Sequence, residues 1–160
     1  MATEIEGIKV AFTEHYHDLP NLWMPFSRDS RILPKGWTKN PGRRSLPVDI
    51  ILDKDVPVKL RDGTVLYADV FRPAGHGEKP VPALLPWSPY GKTGSGIMSL
   101  DAFPFRVGIP RDATSGLEKF EAPDPAEWCS RGYAVVNVDA RGTWHSEGDF
   151  YVYGTQVCCS

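Results

Sequence analysis

The stretch DPAEWCSRGYAVVNVDARG, residues 124–142, decides the fold class. Asp124 is a suitable helix N-cap, Pro125 suits the first helical position, and Gly132 suits the position just past the helix end, so the sequence predicts a short helix here. The apolar run YAVVNV follows at once and predicts a buried strand. A helix that leads directly into a buried strand is typical of the βαβ unit of a parallel sheet.

Three earlier segments supply the remaining strands. The stretches VDIILDKDVPVKL (48–60) and TVLYADVFRP (64–73) alternate in polarity and flank the turn signal RDG, so they predict a β-hairpin that ends at Pro73. The run VPALLPW (81–87) is nearly all apolar, which is typical of a strand buried on both faces. The sequence therefore predicts four strands, with the helix crossing between the third and the fourth.

The remaining segments show no sustained period. Residues 1–45 mix aromatic residues with prolines, and we expect an irregular arm with a short helical turn near residues 18–23. Residues 46–160 are the predicted folded domain. Within it, residues 88–123 contain many turn formers, which favours a long covering or functional loop.

Composition excludes several classes of protein. The 160 residues suit one domain, and 41% apolar side chains are enough for a core. A net charge of −2 supplies no basic patch for nucleic acid or an anionic membrane. Fifteen glycines and fifteen prolines exclude long bundles and coiled coils. The opening residues hold no apolar run that suits a signal peptide or a membrane span, so we expect a cytoplasmic protein.

Several patterns are similar to reactive or binding motifs, but each favours a structural role. They are Ser146 beside His145 in WHSEG, the pair His15 and His17, Lys92 with Gly94 and Gly96 in GKTGSG, and the cysteines Cys129, Cys158 and Cys159. The serine lacks the leading glycine of a GxSxG nucleophile elbow. The histidines have no further metal ligand nearby. The lysine precedes its glycines, whereas in a phosphate loop the lysine follows them. The cysteines lack CxxC spacing.

Two loops that follow strands remain as candidate sites. Tyr90 lies just past the third strand, at the end of the sheet where open α/β sheets bind ligands. A phenol there can donate a hydrogen bond to a developing oxyanion, although packing is the commoner role for such a tyrosine. In the loop after the fourth strand, Asp139, Arg141 and Glu147 are predicted to form an internal set of ion pairs that pins the loop.

The order VPVKLRDGTVLYADVFRP, then PVPALLPWSPYGK, then EWCSRGYAVVNVDARGTWHSEGDF closely resembles the Xaa-Pro dipeptidyl-peptidase and cocaine-esterase family of α/β-hydrolases. The resemblance covers about residues 46–156. It implies an incomplete α/β-hydrolase sheet, made of the N-terminal hairpin plus two parallel strands with one short crossover helix, preceded by the irregular aromatic- and Pro-rich arm. It also implies a Ser-Asp-His mechanism through an acyl-enzyme, without a cofactor, on an acyl ester or an Xaa-Pro peptide. In this family the tyrosine of the PY motif, here Tyr90, supplies its hydroxyl to the oxyanion hole.

The resemblance stops short of the catalytic residues. Family members continue past the GTQ segment into an acidic stretch, a helix and the nucleophile strand, whereas this chain reads VCCS, residues 157–160. We therefore expect the nucleophile, acid and base to lie outside this chain. The end of the chain at this point would then result from a truncated gene model, a retained intron or a frameshift. On this expectation the chain is the N-terminal fragment of a serine hydrolase and is inactive by itself.

The family strand order also predicts an association surface. In that order the four strands lie as first, second, fourth, third, which places VPALLPW at an open edge of the sheet. An exposed apolar edge invites pairing with another chain. The alternative function is therefore a non-catalytic binding or regulatory module that pairs through this edge.

Overall fold

The computed structural model describes residues 2–5, 8–11, 25–77, 79–93 and 99–150. The strands are β1 (Ala2–Ile5), β2 (Ile8–Ala11), β3 (Ser30–Leu33), β4 (Ile50–Lys59), β5 (Val65–Pro73), β6 (Ala83–Leu84) and β7 (Ala134–Val138), and helix α1 spans Pro125–Ser130. Strands β1 and β2 pair with each other, and the other five form a mixed sheet in the order β3-β4-β5-β7-β6. The order of its last four strands agrees with the one expected from the resemblance.

The predicted hairpin is confirmed as the antiparallel pair β4 and β5. Its turn contains Gly63 at φ +91°, a backbone conformation that suits glycine. The register shifts between Asp53 and Val56, where Asp55 adopts φ +50°. This β-bulge redirects Asp55 toward the interior, and its side chain becomes part of the site described below.

The predicted helix and the strand after it are also confirmed. The Asp124 side chain caps α1 by accepting a hydrogen bond from the backbone N–H of Ala126, and Gly132 follows the helix at φ +84°. Strand β7 then pairs in parallel with β6, with Ala83 opposite Ala134. Because α1 lies between β6 and β7 in the chain, these three elements form the expected βαβ unit.

The main core lies between the sheet and α1. Its buried members are Leu33, Leu46, Ile50, Leu52, Phe71, Leu117, Ala126, Cys129 and Val135. A smaller cluster on the opposite face contains Leu66, Ala68 and Val138, with Trp87 packed against it. Toward the carboxyl end of β7, the side chains on the face of the sheet that packs against α1 change from apolar to polar and charged. The candidate site lies at this end of the sheet.

Two features differ from the sequence-based expectations. The VPALLPW segment forms only the two-residue edge strand β6, and Leu85 beside it is 55% exposed, so burial on both faces was a wrong prediction for these residues. Prolines flank this strand on both sides, and a proline cannot donate to a ladder, which limits its length. The arm is not irregular throughout, because strands β1, β2 and β3, which the sequence did not predict, all lie within it; β1 pairs with β2, and β3 pairs with β4. The expected helical turn near residues 18–23 lies outside the described residues.

The long segment after β6 is not a featureless loop. It contains three short 3₁₀ helices, Leu100–Ala102, Pro104–Gly108 and Arg111–Ala113. Arg43 and Arg106 both pair with the Asp101 carboxylate, and both also donate to the hydroxyl of Thr114. These shared partners hold the segment against the residues that precede β4.

In the described part of the chain, no helix has the length and apolar character that a membrane crossing requires.

Candidate functional site

The loops that follow β6 and β7 meet at a buried ion pair. The backbone N–H of Lys92 donates to Asp139 Oδ1 at 2.7 Å, and the Lys92 ammonium donates to Asp139 Oδ2, also at 2.7 Å. Lys92 is 4% exposed and Asp139 is 1% exposed. One carboxylate therefore holds both the main chain and the side chain of the same lysine. Charge-assisted hydrogen bonds of this length are the stronger ones in proteins.

The Lys92 ammonium also reaches two further groups. It lies 3.0 Å from Asp55 Oδ1 on the β4 bulge and 3.1 Å from His145 Nδ1 in the loop after β7. Burial lowers the pKa of Lys92, but the carboxylates of Asp139 and Asp55 outweigh it, so this pKa is raised overall. Burial and the neighbouring ammonium lower the pKa of His145, so the imidazole is neutral at pH 7 and its Nδ1 accepts from Lys92.

A second layer of polar groups lies beneath Lys92 on the inner face of the sheet. Asp69 on β5 is 4% exposed and accepts a hydrogen bond from the backbone N–H of Asp55 at 3.0 Å. Burial raises the pKa of Asp69 to about 6. Asn137 on β7 stands opposite Asp69 and is fully buried. Burial also raises the pKa of Asp55, but the Ser27 N–H and the Lys92 ammonium reverse this effect, so its pKa is lowered overall.

Tyr90 lies two residues before Lys92 and is half-buried. Its ring packs edge to face against Phe120, with the centroids 5.0 Å apart. The Glu121 carboxylate raises the pKa of Tyr90, through its charge and through a hydrogen bond with the phenol. The phenol is therefore protonated at neutral pH and can act as a hydrogen-bond donor. Phe120 and Glu121, which contact Tyr90, also line a cavity of about 240 Å³, although Tyr90 itself is not part of that lining.

The loop after β7 is pinned, but not by the predicted internal ion pairs. Arg141 pairs with Asp62 at 2.5 Å, in the turn of the β4–β5 hairpin. Glu147 accepts a hydrogen bond from the backbone N–H of Val65 at 2.9 Å. Asp139 pairs with Lys92 instead. The prediction that Asp139, Arg141 and Glu147 pair with one another was wrong, because the β4–β5 hairpin and the loop after β6 both pack alongside this loop and offer other partners.

Ser146 has the structural role that its sequence context favoured. Its hydroxyl donates to the backbone carbonyl of Asp139 at 2.6 Å and accepts from the backbone N–H of Tyr67 at 2.9 Å. The Phe26 ring lies over both Tyr67 and His145, with centroid distances of 4.9 and 5.7 Å. A serine held in this way joins β5 to the loop and is not poised as a nucleophile.

Of the other motifs considered from sequence, GKTGSG contributes Lys92 to this site, but not as a phosphate-binding residue. Lys92 binds buried carboxylates, which is a different environment from that of a phosphate-binding lysine. Cys129 is buried, and burial raises the pKa of its thiol to about 12. Outside the described residues lie His15, His17, Gly94, Gly96, Cys158 and Cys159. Across the described residues, no group of three or more histidine, cysteine, aspartate or glutamate side chains could hold a metal ion.

Sequence reasoning missed the roles of Asp55, Asp69 and Asn137. The available signal was their position, because Asp69 and Asn137 interrupt otherwise apolar strands with polar side chains. Polar residues at such positions normally need partners in the folded protein. Asp69 finds one in the backbone N–H of Asp55 on the β4 bulge, whereas the buried side-chain amide of Asn137 has no hydrogen-bond partner among the described residues.

The mixed sheet, with its loops gathered at the carboxyl ends of β6 and β7, is similar to the fold of a known hydrolase class. A solved structure of a CocE/NonD family hydrolase from Staphylococcus aureus matches with a TM-score of 0.50 and 34% identity, over 61% of this chain and 17% of that chain. The family model described as X-Pro dipeptidyl-peptidase, S15 family, matches residues 62–157. The chain belongs to this family.

Two curated relatives match parts of the chain. The cocaine esterase of Rhodococcus sp. is 36% identical over 96 residues, which is 60% of this chain and 13% of that enzyme. An L-tyrosine:2-oxoglutarate aminotransferase of Aspergillus ustus is 60% identical over 42 residues, which is 26% of this chain but only 8% of that protein. The chain thus spans a small part of the length of these relatives and of the solved structure.

Proposed function

We propose that this chain is the N-terminal part of a serine hydrolase that acts on acyl esters or Xaa-Pro peptides through an acyl-enzyme. The observation that carries this proposal is the placement of Tyr90, a protonated phenol in the loop after β6, at the carboxyl end of the parallel strand pair. Membership of the S15 family and the similarity to a cocaine esterase support the reaction class. The open space beside Phe120 supports a small-molecule or peptide substrate.

In the proposed mechanism a serine outside these 160 residues gives its hydroxyl proton to a histidine, also outside them, as its oxygen attacks the carbonyl carbon of the substrate. The carbonyl oxygen gains negative charge, and the Tyr90 hydroxyl donates a hydrogen bond to it. The ester or peptide bond then breaks, the leaving alcohol or amine takes that proton from the histidine, and the acyl-enzyme remains. The phenol is held by Glu121 in this structure, so it must exchange that carboxylate for the oxyanion as the substrate binds. The chain's contribution is thus one donor of the oxyanion hole and the loops that hold it.

A serine-directed probe tests the proposed absence of a nucleophile. We expect a fluorophosphonate to leave the purified 160-residue chain unlabelled and to label a longer product that an antibody against residues 25–45 detects in a native extract. Labelling of the short chain that Ser146→Ala abolishes would overturn the assignment of Ser146 as a structural residue. A longer product that resists the probe would contradict the serine mechanism.

The role of Tyr90 is tested in that longer product. We expect Tyr90→Phe to lower kcat by roughly 10²- to 10³-fold with little change in KM, because an oxyanion-hole donor acts mainly in the transition state. The matched control is Tyr133→Phe, which removes a hydroxyl from a ring that packs on Trp128 of α1. Equal kinetics for the Tyr90→Phe and Tyr133→Phe enzymes would refute the oxyanion assignment.

The second candidate function is a binding module that pairs through β6. The observation that favours it is the exposed edge, where Ala83 is exposed and Leu85 is 55% exposed. If the module associates through this edge, Leu85→Lys lowers the sedimentation coefficient of the chain. The matched control is Ile32→Lys, which places the same charge on β3 at the opposite edge, where Ile32 is 63% exposed. A monodisperse monomer before any substitution would exclude this candidate.

A further inference from the structure

The loop that carries Tyr90 has few constraints from the sheet itself. Strand β6 contributes only Ala83 and Leu84 to the parallel pairing with β7. Tyr90 comes six residues after that strand ends, which is far enough for an unsupported loop to take many conformations. Some other interaction must fix the position of the phenol if it is to meet an oxyanion reproducibly.

Lys92 supplies such a constraint at the other end of the loop. Asp139 holds its backbone N–H and its ammonium at once, each at 2.7 Å. Only Gly91 separates Lys92 from Tyr90, so fixing the Lys92 main chain restricts where the Tyr90 main chain can lie.

Gly91 tightens this restriction. It adopts φ +87°, and a Cβ on this residue would lie 2.8 Å from the indole nitrogen of Trp144. The loop after β7 therefore packs directly on the backbone between Tyr90 and Lys92. Any side chain at position 91 would push the two loops apart.

The Lys92 ammonium extends the constraint across the sheet. Beyond Asp139 it reaches Asp55 on β4 at 3.0 Å and His145 at 3.1 Å. Asp69, Asp55 and Asp139 are all buried around it, so this single ammonium offsets the charge of several carboxylates. Removing it takes away the ammonium that lies within 3.0 Å of both Asp139 and Asp55, and leaves these carboxylates the longer-range charges of Lys54 and Lys119. The loop then loses the direct attraction between Lys92 and the carboxylates.

We infer that Lys92 is a positioning residue for the Tyr90 hydroxyl, acting through Asp139 and Asp55. The inference rests on the proposed function of Tyr90 as an oxyanion donor. It assigns a role in that reaction to a lysine which does not itself face the substrate. The buried ion pairs thus set the geometry of the hydrolase site as well as the stability of the fold.

Fluorine NMR of the 160-residue chain containing 3-fluorotyrosine tests this inference. The Tyr90 resonance is assigned by its loss in Tyr90→Phe, and its chemical shift reports the contact with the Phe120 ring. In Lys92→Met we expect this shift to move to the value of a solvent-exposed fluorotyrosine, and the raised pKa of the phenol to be lost. Lys92→Arg, which keeps the charge, is expected to restore much of the native shift.

The matched control is Arg72→Met, which removes a cation from the Asp53 pair on the outer face of the sheet. It should leave the Tyr90 resonance unmoved. If Lys92→Met lacks the native circular dichroism, Asp55→Asn carries the same test, because it removes only one of the two carboxylates that hold the ammonium. A native Tyr90 shift in folded Lys92→Met or in folded Asp55→Asn would overturn the inference.

These outcomes are separable from those for the proposed function. An unmoved Tyr90 resonance contradicts the positioning role of Lys92 and leaves the oxyanion role intact. Unchanged kinetics in Tyr90→Phe contradict the oxyanion role, whatever Lys92 does to the loop.

Discussion

The stability of the Asp69→Asn variant relative to the wild type should increase between pH 5 and pH 8. Asp69 is buried on β5, and its carboxyl has a pKa of about 6 against an ordinary value of 3.8. The folded protein therefore binds this proton more tightly than the unfolded chain does. The stabilisation from that proton is complete below the unfolded pKa and is lost as the pH rises through about 6.

The magnitude follows from the linkage between protonation and folding. At pH 5, one unit below the pKa in the folded protein, the neutral carboxyl outnumbers the carboxylate roughly tenfold. The bound proton then stabilises the folded state by about 1.4 kcal/mol. At pH 8 this contribution is absent. Asparagine cannot ionise, and its amide oxygen can still accept from the backbone N–H of Asp55. We therefore expect Asp69→Asn to gain about 1.4 kcal/mol over the wild type when the pH rises from 5 to 8.

Urea unfolding, followed by tryptophan fluorescence at pH 5, 6, 7 and 8 on both proteins, measures this difference. The groups that face Asp69 are Asp55, Lys54 and Lys92 through charge, with Asn137 opposite on β7, and all are the same in both proteins. Their own titration then largely cancels in the comparison. Asp53→Asn, on the other face of the sheet, controls for the loss of one negative charge. A difference in unfolding free energy that stays constant with pH, or that shifts in favour of the wild type as the pH rises from 5 to 8, would refute the reasoning.

Three further outcomes follow from individual contacts. Asp124→Ala should cost roughly 2–4 kcal/mol in urea unfolding, since it removes the cap of α1 and also the acceptor of the Ser115 backbone N–H, whereas Asp124→Asn should cost less. Gly91→Ala should displace Trp144, so its tryptophan emission should shift relative to the wild type; identical spectra and stability would contradict the close packing. Cys129 should resist iodoacetamide at pH 8 in the native protein and react only after unfolding, as followed by peptide mass spectrometry; rapid native labelling would contradict its burial and its pKa of about 12.

Local patterns predicted much of the fold. The hairpin β4–β5, helix α1 and strand β7 lie where alternation, turn and capping residues placed them. Strand β3 was not predicted, because its four residues are mostly exposed and carry no alternation. The apolar sequence of β6 predicted a strand buried on both faces, whereas the strand lies at an edge of the sheet. An apolar run of this length suits both positions, so the sequence pattern does not distinguish them.

The site was predicted only in part. The loop of Tyr90 follows a strand of the parallel pair, as expected, and its catalytic role stays a prediction. The surroundings of Lys92 were not predicted, since a lysine among glycines and turn formers resembles a solvated loop residue. Its partners Asp55 and Asp139 lie 37 and 47 positions away along the chain.

The sequence by itself determined the β4–β5 hairpin, helix α1, strand β7 and the family, because capping, turn and strand patterns and ordered motifs are properties of short segments. The tertiary structure alone decided which charges become buried together. Pairing β4 with β5, and β5 with β7, brings the bulge at Asp55 beneath the loops after β6 and β7. The energy of an ion pair depends on distance and burial, and neither quantity is defined until those strands are neighbours.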